Sequence, residues 1–161
     1  MPVLAELDFV LHTDPLAMLF VSLSGVLWFL TTIYAIAYLE GSPHRSRFFG
    51  FFSLCVSATV GIAMSGNLFT FVMFYELLTL STYPLVVHRE TEVAGRAGRV
   101  YLVYTLAGGG LLLAGATWLH QLVPSVDFRG GAPLAGLGPE YDHTLRAIFV
   151  LLTIGLGVKA A

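Results

Sequence analysis

Residues 65–81 read SGNLFTFVMFYELLTLS, an apolar helical run with a single carboxylate, Glu76, near its middle. If this run crosses a membrane, the glutamate lies deep in the hydrocarbon core. An ionised side chain at that depth is costly, and it is normally present because a function needs its charge or its proton. Glu76 is therefore the first candidate functional residue of the chain.

The composition of the 161-residue chain is that of an integral membrane protein. Hydrophobic residues make up 57% and charged residues 11%, against roughly 45–50% and about 25% in soluble domains. The mean hydropathy is +0.81. A net charge of -2 has no strong sign, so nothing indicates a nucleic-acid partner or an anionic ligand. The N-terminal tail lacks Lys and Arg, so no cleavable signal peptide is expected.

Apolar runs long enough to cross a bilayer recur along the chain, since about 20 residues span a core roughly 30 Å thick. They predict an all-α integral membrane bundle with about five helices, at residues 16–39, 48–64, 68–87, 100–119 and 145–161. Asp14 followed by Pro15 predicts a capped start for the first helix. Residues 65–67 allow only a tight antiparallel hairpin between the second and third helices. Proline and glycine throughout residues 121–144 predict an irregular external loop.

The arginine positions predict how the bundle is oriented. The loops after the first and third helices contain Arg45, Arg47, Arg89, Arg96 and Arg99. The loop after the fourth helix contains Arg129 and Arg146 together with three acidic residues, and the N-terminal tail contains no arginine. Because cytoplasmic loops carry the excess of positive charge, the N-terminus is predicted to lie outside.

The second ionisable residue within an apolar helix is Lys159, the only lysine of the chain. At 1.5 Å per residue, Glu76 lies about 12 Å below its helix start and Lys159 about 20 Å below Arg146, so both can share the middle of the bilayer. An acid and a base at similar depth predict an ion pair, because each alone would become neutral. Charges about 4 Å apart interact by about 4 kcal/mol at an effective dielectric near 20, so opening the pair favours proton release from Lys159. The two residues therefore predict a proton switch.

Structural interpretations of the same residues stay open at this point. Glu76 can bridge helices through hydrogen bonds to hydroxyl groups. The candidate partners by composition are Thr79, Ser81, Thr82, Tyr83 and Tyr104. Lys159, near a predicted cytoplasmic helix end, can extend to the lipid headgroups. The glycines at residues 108–110 of the fourth helix predict close packing against another helix.

No other chemistry is indicated by the sequence. The histidines do not occur at metal-ligand spacing on one helix, and the single cysteine, Cys55, lies within an apolar run. No phosphate-binding loop, Cys-x-x-Cys pair or Ser/His/Asp arrangement is present. The chain is therefore predicted to need no cofactor or metal and not to be an enzyme by itself.

Residues 64–83, MSGNLFTFVMFYELLTLSTY, resemble the segment SGNLLxFYxFWELxxLxSY of the proton-translocating antiporter-like subunits. These are the L, M and N subunits of respiratory complex I, the A and D subunits of Mrp antiporters, and membrane-bound hydrogenase relatives. Residues 14–20, DPLAMLF, are similar to their DGLSLLF segment, and residues 155–161, GLGVKAA, to their GxGxKAA segment. Tyr75 stands where the family usually has Trp, which with Tyr83 and Pro84 favours the D-like Mrp branch.

The resemblance implies translocation of protons, or exchange of Na⁺ for protons, by a multi-pass subunit of a complex in the bacterial cytoplasmic (inner) membrane. Glu76 would be the essential intramembrane glutamate, and Lys159 the lysine that exchanges a proton with it. Family members have about fourteen helices, so we expect a truncated or split subunit whose missing helices another chain supplies. Any NADH-quinone oxidoreductase activity would belong to partner chains. A non-conducting structural subunit is the alternative, and exchange is not separated from redox-coupled pumping.

Overall fold

The computed structural model describes residues 8–123, 126–128, 134 and 136–160. Within them the chain forms five long helices and no strand. Their bounds are α1 Pro15–Tyr38, α2 Arg45–Ala63, α3 Leu68–Val86, α4 Glu92–Leu122 and α5 Asp142–Ala160. Each of the five is long and apolar enough to cross a membrane. The predicted all-helical membrane fold is therefore confirmed.

Short polar side chains begin three of these helices. Asp14 accepts a hydrogen bond of 2.6 Å from the backbone N–H of Ala17, and Pro15 is the first residue of α1. Asn67 caps α3 in the same way through the N–H three residues along the chain, at 2.8 Å. Thr91 caps α4. Each cap satisfies one of the backbone donors that the start of a helix leaves without a partner.

Helix α4 is longer at both ends than the predicted bounds of 100–119. It spans Glu92–Leu122, so its first turns include Arg96 and Arg99. Hydropathy locates the part of a helix that lies inside the hydrocarbon, whereas caps locate its ends, and charged residues continue a helix outside the membrane core. For the same reason α2 begins at Arg45, three residues before the predicted start.

The predicted loop at 121–144 is also wrong at its two ends. Helix α4 continues to Leu122, and a single 3₁₀ turn at Pro139–Tyr141 leads directly into α5 at Asp142. Proline is well tolerated in a first turn, and an acid there is stabilised by the helix dipole. Pro124, Arg129, Gly130, Gly131 and Pro133 of that loop, and Ala161 at the predicted end of the fifth helix, lie outside the described residues.

The helices pack in chain order, each against the next. The predicted hairpin of α2 and α3 is present, with the turn at residues 64–67 between them. Helix α1 packs only against α2, and Ala17 and Ala35 are its buried residues. Most of its apolar side chains therefore face outward, where lipid or another subunit would cover them.

Glycines allow α4 and α5 to approach closely. A Cβ atom on Gly155 would lie 2.8 Å from both the carbonyl oxygen of Gly108 and the backbone nitrogen of Leu112. A Cβ atom on Gly115 would lie 2.9 Å from Leu152 Cδ2. Small residues of this kind let the backbones of membrane helices pack directly against each other. The close packing predicted for the glycines of α4 is confirmed for Gly108 but is wrong for Gly110, where a Cβ atom would meet nothing within 4 Å.

The turn between α2 and α3 is held by two distant segments of the chain. The N–H of His12 donates to the carbonyl of Met64 at 2.7 Å, and the N–H of Gly66 donates to the carbonyl of Val10 at 2.9 Å. From the other side, the N–H of Phe128 donates to the carbonyl of Gly66 at 3.0 Å. These bonds fix the beginning of α3, and with it the position of the residues one and two turns further along.

Candidate functional site

Glu76 and Lys159 form an ion pair inside the bundle. The Nζ atom of Lys159 lies 2.7 Å from Oε1 of Glu76, although the two residues are 83 positions apart. The Lys159 side chain is 2% exposed and that of Glu76 18%. Since α5 packs along α4 rather than along α3, the long lysine side chain reaches past α4 to make this contact.

Two further groups of α3 hold the Lys159 ammonium. The Thr79 hydroxyl oxygen lies 2.9 Å from Nζ, and the ring centroid of Tyr75 lies 4.6 Å from it. The Thr79 hydroxyl donates its hydrogen to the carbonyl of Tyr75, at 3.0 Å, so it accepts from Lys159. Residues three and four apart share a helix face. A carboxylate, a hydroxyl lone pair and an aromatic face therefore surround the Lys159 ammonium.

The energetic balance of this pair depends on both partners being present. Burying two charges costs several kcal/mol per ion, and the attraction between them offsets that cost only with good geometry and additional hydrogen bonds. Removing one partner leaves an uncompensated charge, which costs about 3–5 kcal/mol in buried pairs. Each charge of the pair is consequently stabilised by its contact with the other.

A glycine of α4 makes room for the carboxylate. A Cβ atom on Gly109 would overlap both oxygen atoms of Glu76. The adjacent Gly108 packs against α5, where a Cβ atom would lie 2.9 Å from Val158 Cγ1. Gly108 thus lets α5 approach α4 closely, and Gly109 leaves space for the Glu76 carboxylate of α3. In this space Glu76 contacts Lys159 of α5.

Two of the hydroxyl groups considered as bridging partners for Glu76 donate to backbone carbonyls instead. The Ser81 hydroxyl donates to the carbonyl of Leu77 at 2.6 Å, and the Thr82 hydroxyl to the carbonyl of Thr79 at 2.9 Å. Tyr104 is 64% exposed. The Lys159 side chain is directed toward α3, where it is buried and bonds to Glu76 and Thr79. The described contacts therefore correspond to the ion pair and not to these alternatives.

Sequence reasoning finds the two charges but misses part of their surroundings. Composition suggests Thr79 as a partner of Glu76, whereas it bonds to Lys159. Its position three residues after Glu76 is a usable signal, because residues at that spacing lie on the same helix face. No comparable signal points to Gly109, whose neighbour depends on how α3 and α4 are rotated against each other.

Among the described residues, no group of three or more His, Cys, Asp or Glu side chains is placed so that it could hold a metal ion. His88, at the end of α3, packs its ring on Phe48 with 5.3 Å between the centroids. Its Nδ1 atom is buried, and no hydrogen-bond partner lies within reach among the described residues. This histidine is far along α3 from Glu76 and is not part of the ion pair.

A second ion pair connects the beginning of α2 with the turn before α4. Arg47 Nη2 lies 2.6 Å from Glu90 Oε1, with the side chains 38% and 53% exposed. The hydrogen bond from Arg47, together with its charge, lowers the pKa of the Glu90 carboxyl from its ordinary value. Glu90 lies between α3 and α4, outside both helices, and exposed pairs of this kind contribute little to stability.

Comparison with known proteins places these features in a family. Residues 65–161 match the family described as "NADH:quinone oxidoreductase/Mrp antiporter, TM". Residues 4–49 match the family described as "NADH-Ubiquinone oxidoreductase (complex I), chain 5 N-terminus". The first match contains α3, α4 and α5 and therefore both members of the Glu76–Lys159 pair. It agrees with the resemblance expected from residues 64–83.

The matches to curated relatives cover most of this chain but only a small part of each relative. The A1 subunit of a Na⁺/H⁺ antiporter of Staphylococcus haemolyticus is 28% identical over 94% of this chain and 19% of its own. The A/B subunit of a probable K⁺/H⁺ antiporter of Rhizobium meliloti is 29% identical over 96% and 16%. The D subunit of a Na⁺/H⁺ antiporter of Bacillus subtilis is 25% identical over 96% and 31%. This chain thus spans less than a third of each of these relatives. Because the first family match covers more than half of it, the chain belongs to the NADH:quinone oxidoreductase/Mrp antiporter transmembrane family.

Proposed function

We propose that this chain forms part of an ion-translocating membrane subunit in which Glu76 and Lys159 exchange a proton. The buried contact of 2.7 Å between Lys159 Nζ and Glu76 Oε1 is the observation that carries the proposal. Ionisable residues inside membrane helices are costly and mark ion pathways and proton relays. The relatives named as subunits of Na⁺/H⁺ and K⁺/H⁺ antiporters support the same class of activity.

The chemistry of the pair follows from its charges. When the pair is closed, a carboxylate and an ammonium neutralise each other, and Thr79 and Tyr75 add contacts that a neutral amine would lose or weaken. When Lys159 moves away, each charge is left in a low-dielectric environment and its ionised form is disfavoured. A displacement of Lys159 therefore drives its proton onto a nearby acceptor, and its return favours reprotonation.

The proposed activity is transport, and any redox reaction would belong to partner chains. The antiporter subunits among the relatives favour cation/proton exchange over redox-coupled pumping. We place the subunit in the bacterial cytoplasmic membrane, among other membrane subunits that supply the remaining helices of the path. Its N-terminus is placed outside, on the basis of the arginine distribution.

Glu76→Gln tests the proposal directly. The amide keeps the shape of the side chain but carries neither the charge nor the exchangeable proton, so we expect loss of most ion-driven proton movement in vesicles reconstituted with the assembled complex. Glu92→Gln, an exposed carboxylate in the first turn of α4, is the matched control and should transport at the wild-type rate. A wild-type rate for Glu76→Gln in a fully assembled complex would reject the proposal.

The same experiment separates transport from a structural role. A non-conducting assembly subunit is favoured by one observation, the outward-facing apolar surface of α1. If that were the whole function, Glu76→Gln would alter neither assembly nor the ion movement of the complex. Full assembly combined with lost transport excludes a purely structural role.

A further inference from the structure

A cavity lies at the end of the bundle where α3 ends and α4 begins. It has a volume of about 410 Å³, and neither Glu76 nor Lys159 lines it. Its walls come from the first turn of α2, the last turn of α3, the connection to α4 and the first turns of α4. Sites for small ligands typically have volumes of about 300–1,000 Å³, so the cavity is large enough to bind one.

The charged groups of this cavity leave it with a net positive charge. Arg47 and Arg99 line it together with one carboxylate, that of Glu90. Arg47 uses Nη2 for its contact of 2.6 Å with Glu90, and a guanidinium has five N–H donors in all. Among the described residues, Arg99 forms no ion pair. Both arginines therefore have N–H donors available for an anionic ligand.

The other walls of the cavity are largely apolar. Tyr83, Pro84 and Val87 of the α3 end line it, with Gly95 of α4 opposite them. A Cβ atom on Gly95 would meet nothing within 4 Å, whereas one on Gly98 would overlap Val87. The two helices are therefore in contact at Gly98 and apart at Gly95, one turn earlier. The cavity is a groove with a closed apolar floor and an arginine on each side.

This groove lies where the apolar part of the bundle ends. Arg99 immediately precedes the apolar run at residues 100–119, and Val87 follows the last residue of α3. Tyrosine is enriched at the boundary between membrane and water, and Tyr83 is the tyrosine of this groove. A ligand in the groove would therefore have lipid headgroups at the same depth.

We propose that this groove binds the phosphate of one anionic phospholipid, with Arg47 and Arg99 as the residues that hold it. The planar N–H donors of a guanidinium match the oxygens of a phosphate, and basic pockets between membrane helices bind anionic headgroups. A soluble phosphate compound offers the same oxygens. The apolar floor at Tyr83, Pro84 and Val87 favours a ligand that also has acyl chains. The inference does not depend on the proposed function.

A phosphate in this position would connect two helices that otherwise do not meet. Helices α2 and α4 each pack against α3, but within the described residues they do not pack against each other. Arg47 lies in the first turn of α2 and Arg99 in α4. A lipid held by both arginines would therefore fix the start of α2 relative to the start of α4.

Photolabelling of the assembled complex in mixed micelles tests the inference. The probe is phosphatidylglycerol with a photoactivatable group in one acyl chain, and the measured quantity is its attachment to the peptides that contain Tyr83 to Arg99. We expect unlabelled phosphatidylglycerol to compete with the probe, and phosphatidylcholine, which has no net charge, not to compete at the same mole fraction. Glycerol 1-phosphate, a soluble compound with the same phosphate chemistry, should not compete either.

Two arginine variants show whether the groove or the general surface charge attracts the lipid. Arg99→Gln should lower the labelling by a subsaturating probe about fivefold, the effect of one arginine near an anionic lipid. Arg99 is exposed, so the fold should be kept. Arg96→Gln removes the same charge from the same helix. Because Arg96 is exposed and does not line the groove, this matched control should be labelled like wild type.

Three outcomes would overturn the inference. The first is equal labelling of Arg99→Gln and Arg96→Gln, which would mean that the groove itself does not bind the headgroup. The second is competition by phosphatidylcholine as strong as that by phosphatidylglycerol. The third is full competition by glycerol 1-phosphate, which would exclude a lipid as the source of the phosphate.

Discussion

Gly109 is the residue on which the geometry of the ion pair depends most directly. It lies on α4 between the helices that carry the two charges, and the space where its side chain would be is filled by the Glu76 carboxylate. The atoms in contact are the far end of a flexible side chain, so a methyl group here would displace the carboxylate and not the backbone. A substitution at Gly109 should therefore change function more than folding.

Gly109→Ala should reduce proton transport at least about tenfold, because the displaced carboxylate loses its hydrogen bond with Lys159, and overpacking of this kind costs about 1–3 kcal/mol. Proton movement in reconstituted vesicles measures the effect, and the yield of assembled complex shows whether the fold is kept. Gly110→Ala is the matched control, because a Cβ atom at Gly110 meets nothing within 4 Å. Equal transport by the two variants would show that the carboxylate position is not critical.

At the scale of single residues, the two charged members of the site were easier to predict from the sequence than the uncharged residues around them. Glu76 and Lys159 stand out because each interrupts an apolar run, and an unpaired charge there is unfavourable. Tyr75, Thr79 and Gly109 carry no such signal, since aromatic, hydroxyl and glycine residues are common in membrane helices. Their role depends on the rotation of α3 and on where the end of α5 lies.

Among the elements, α4 and α5 have the closest backbone contact. A methyl group at Gly155 would meet backbone atoms of Gly108 and Leu112, each at 2.8 Å, and backbone cannot turn aside as a side chain can. The two helices would have to separate. Because Lys159 lies one turn further along α5, this separation would also change the distance over which the lysine must reach α3.

Gly155→Ala should therefore destabilise the bundle. A cost of about 1–3 kcal/mol corresponds to a fall of about 2–10 °C in the thermal midpoint of the detergent-solubilised protein. Gly157→Ala, two residues further on the same helix, places its methyl group in open space. It should leave the midpoint unchanged or raise it slightly, since alanine favours a helix over glycine. A fall of the same size in both variants would contradict a specific role for the α4–α5 contact.

The ends of these elements were harder to predict than their existence. Mean hydropathy identifies the apolar centre of α4 but not its first turns, where Glu92, Arg96 and Arg99 continue the helix outside the apolar span. The cap at Thr91 was a local signal of the true start, because its side chain can accept from the N–H of Ala94. Hydropathy therefore locates the part of a helix that lies in the membrane core, whereas capping residues locate the ends of the helix.

On the scale of the whole molecule, the Arg47–Glu90 pair joins two connections at the same end of the bundle. Its contribution should depend on pH with a definite sign. The pKa of Glu90 is lowered in the folded state by the hydrogen bond and the charge of Arg47. A group of this kind stabilises the fold above its unfolded pKa, and the contribution disappears as the pH falls through the lower, folded value.

Glu90→Gln should consequently have a slightly lower thermal midpoint than wild type above about pH 5, and the difference should disappear once the pH falls below the lowered, folded pKa of Glu90. The effect is small because both side chains are partly in water, and high salt should remove it as well. Arg47→Gln should give the same difference at each pH, since it removes the same interaction. A difference that grows as the pH is lowered would contradict the sign argued here.

The orientation of the bundle is the prediction with the widest consequences, because it decides which side of the membrane each end of the bundle faces. Five arginines lie at the ends of α2, α3 and α4 that share one side of the bundle: Arg45, Arg47, Arg89, Arg96 and Arg99. Their excess predicts that this side is cytoplasmic. Helix α1, with 24 residues and a length of about 36 Å, is sufficient for one full crossing before α2.

Cysteine labelling in vesicles measures this orientation. Cys55 is 1% exposed, so a membrane-impermeant maleimide should leave it unmodified, and single cysteines can be added at the exposed residues Thr13 and Ser46. In inside-out vesicles we expect Ser46→Cys to be labelled at once and Thr13→Cys only after permeabilisation, with the reverse in right-side-out vesicles. Reversed labelling would place the arginines outside, whereas labelling of both positions from one side would mean that α1 does not cross. Only the expected pattern agrees with an N-terminus outside and with the five arginines on the cytoplasmic side.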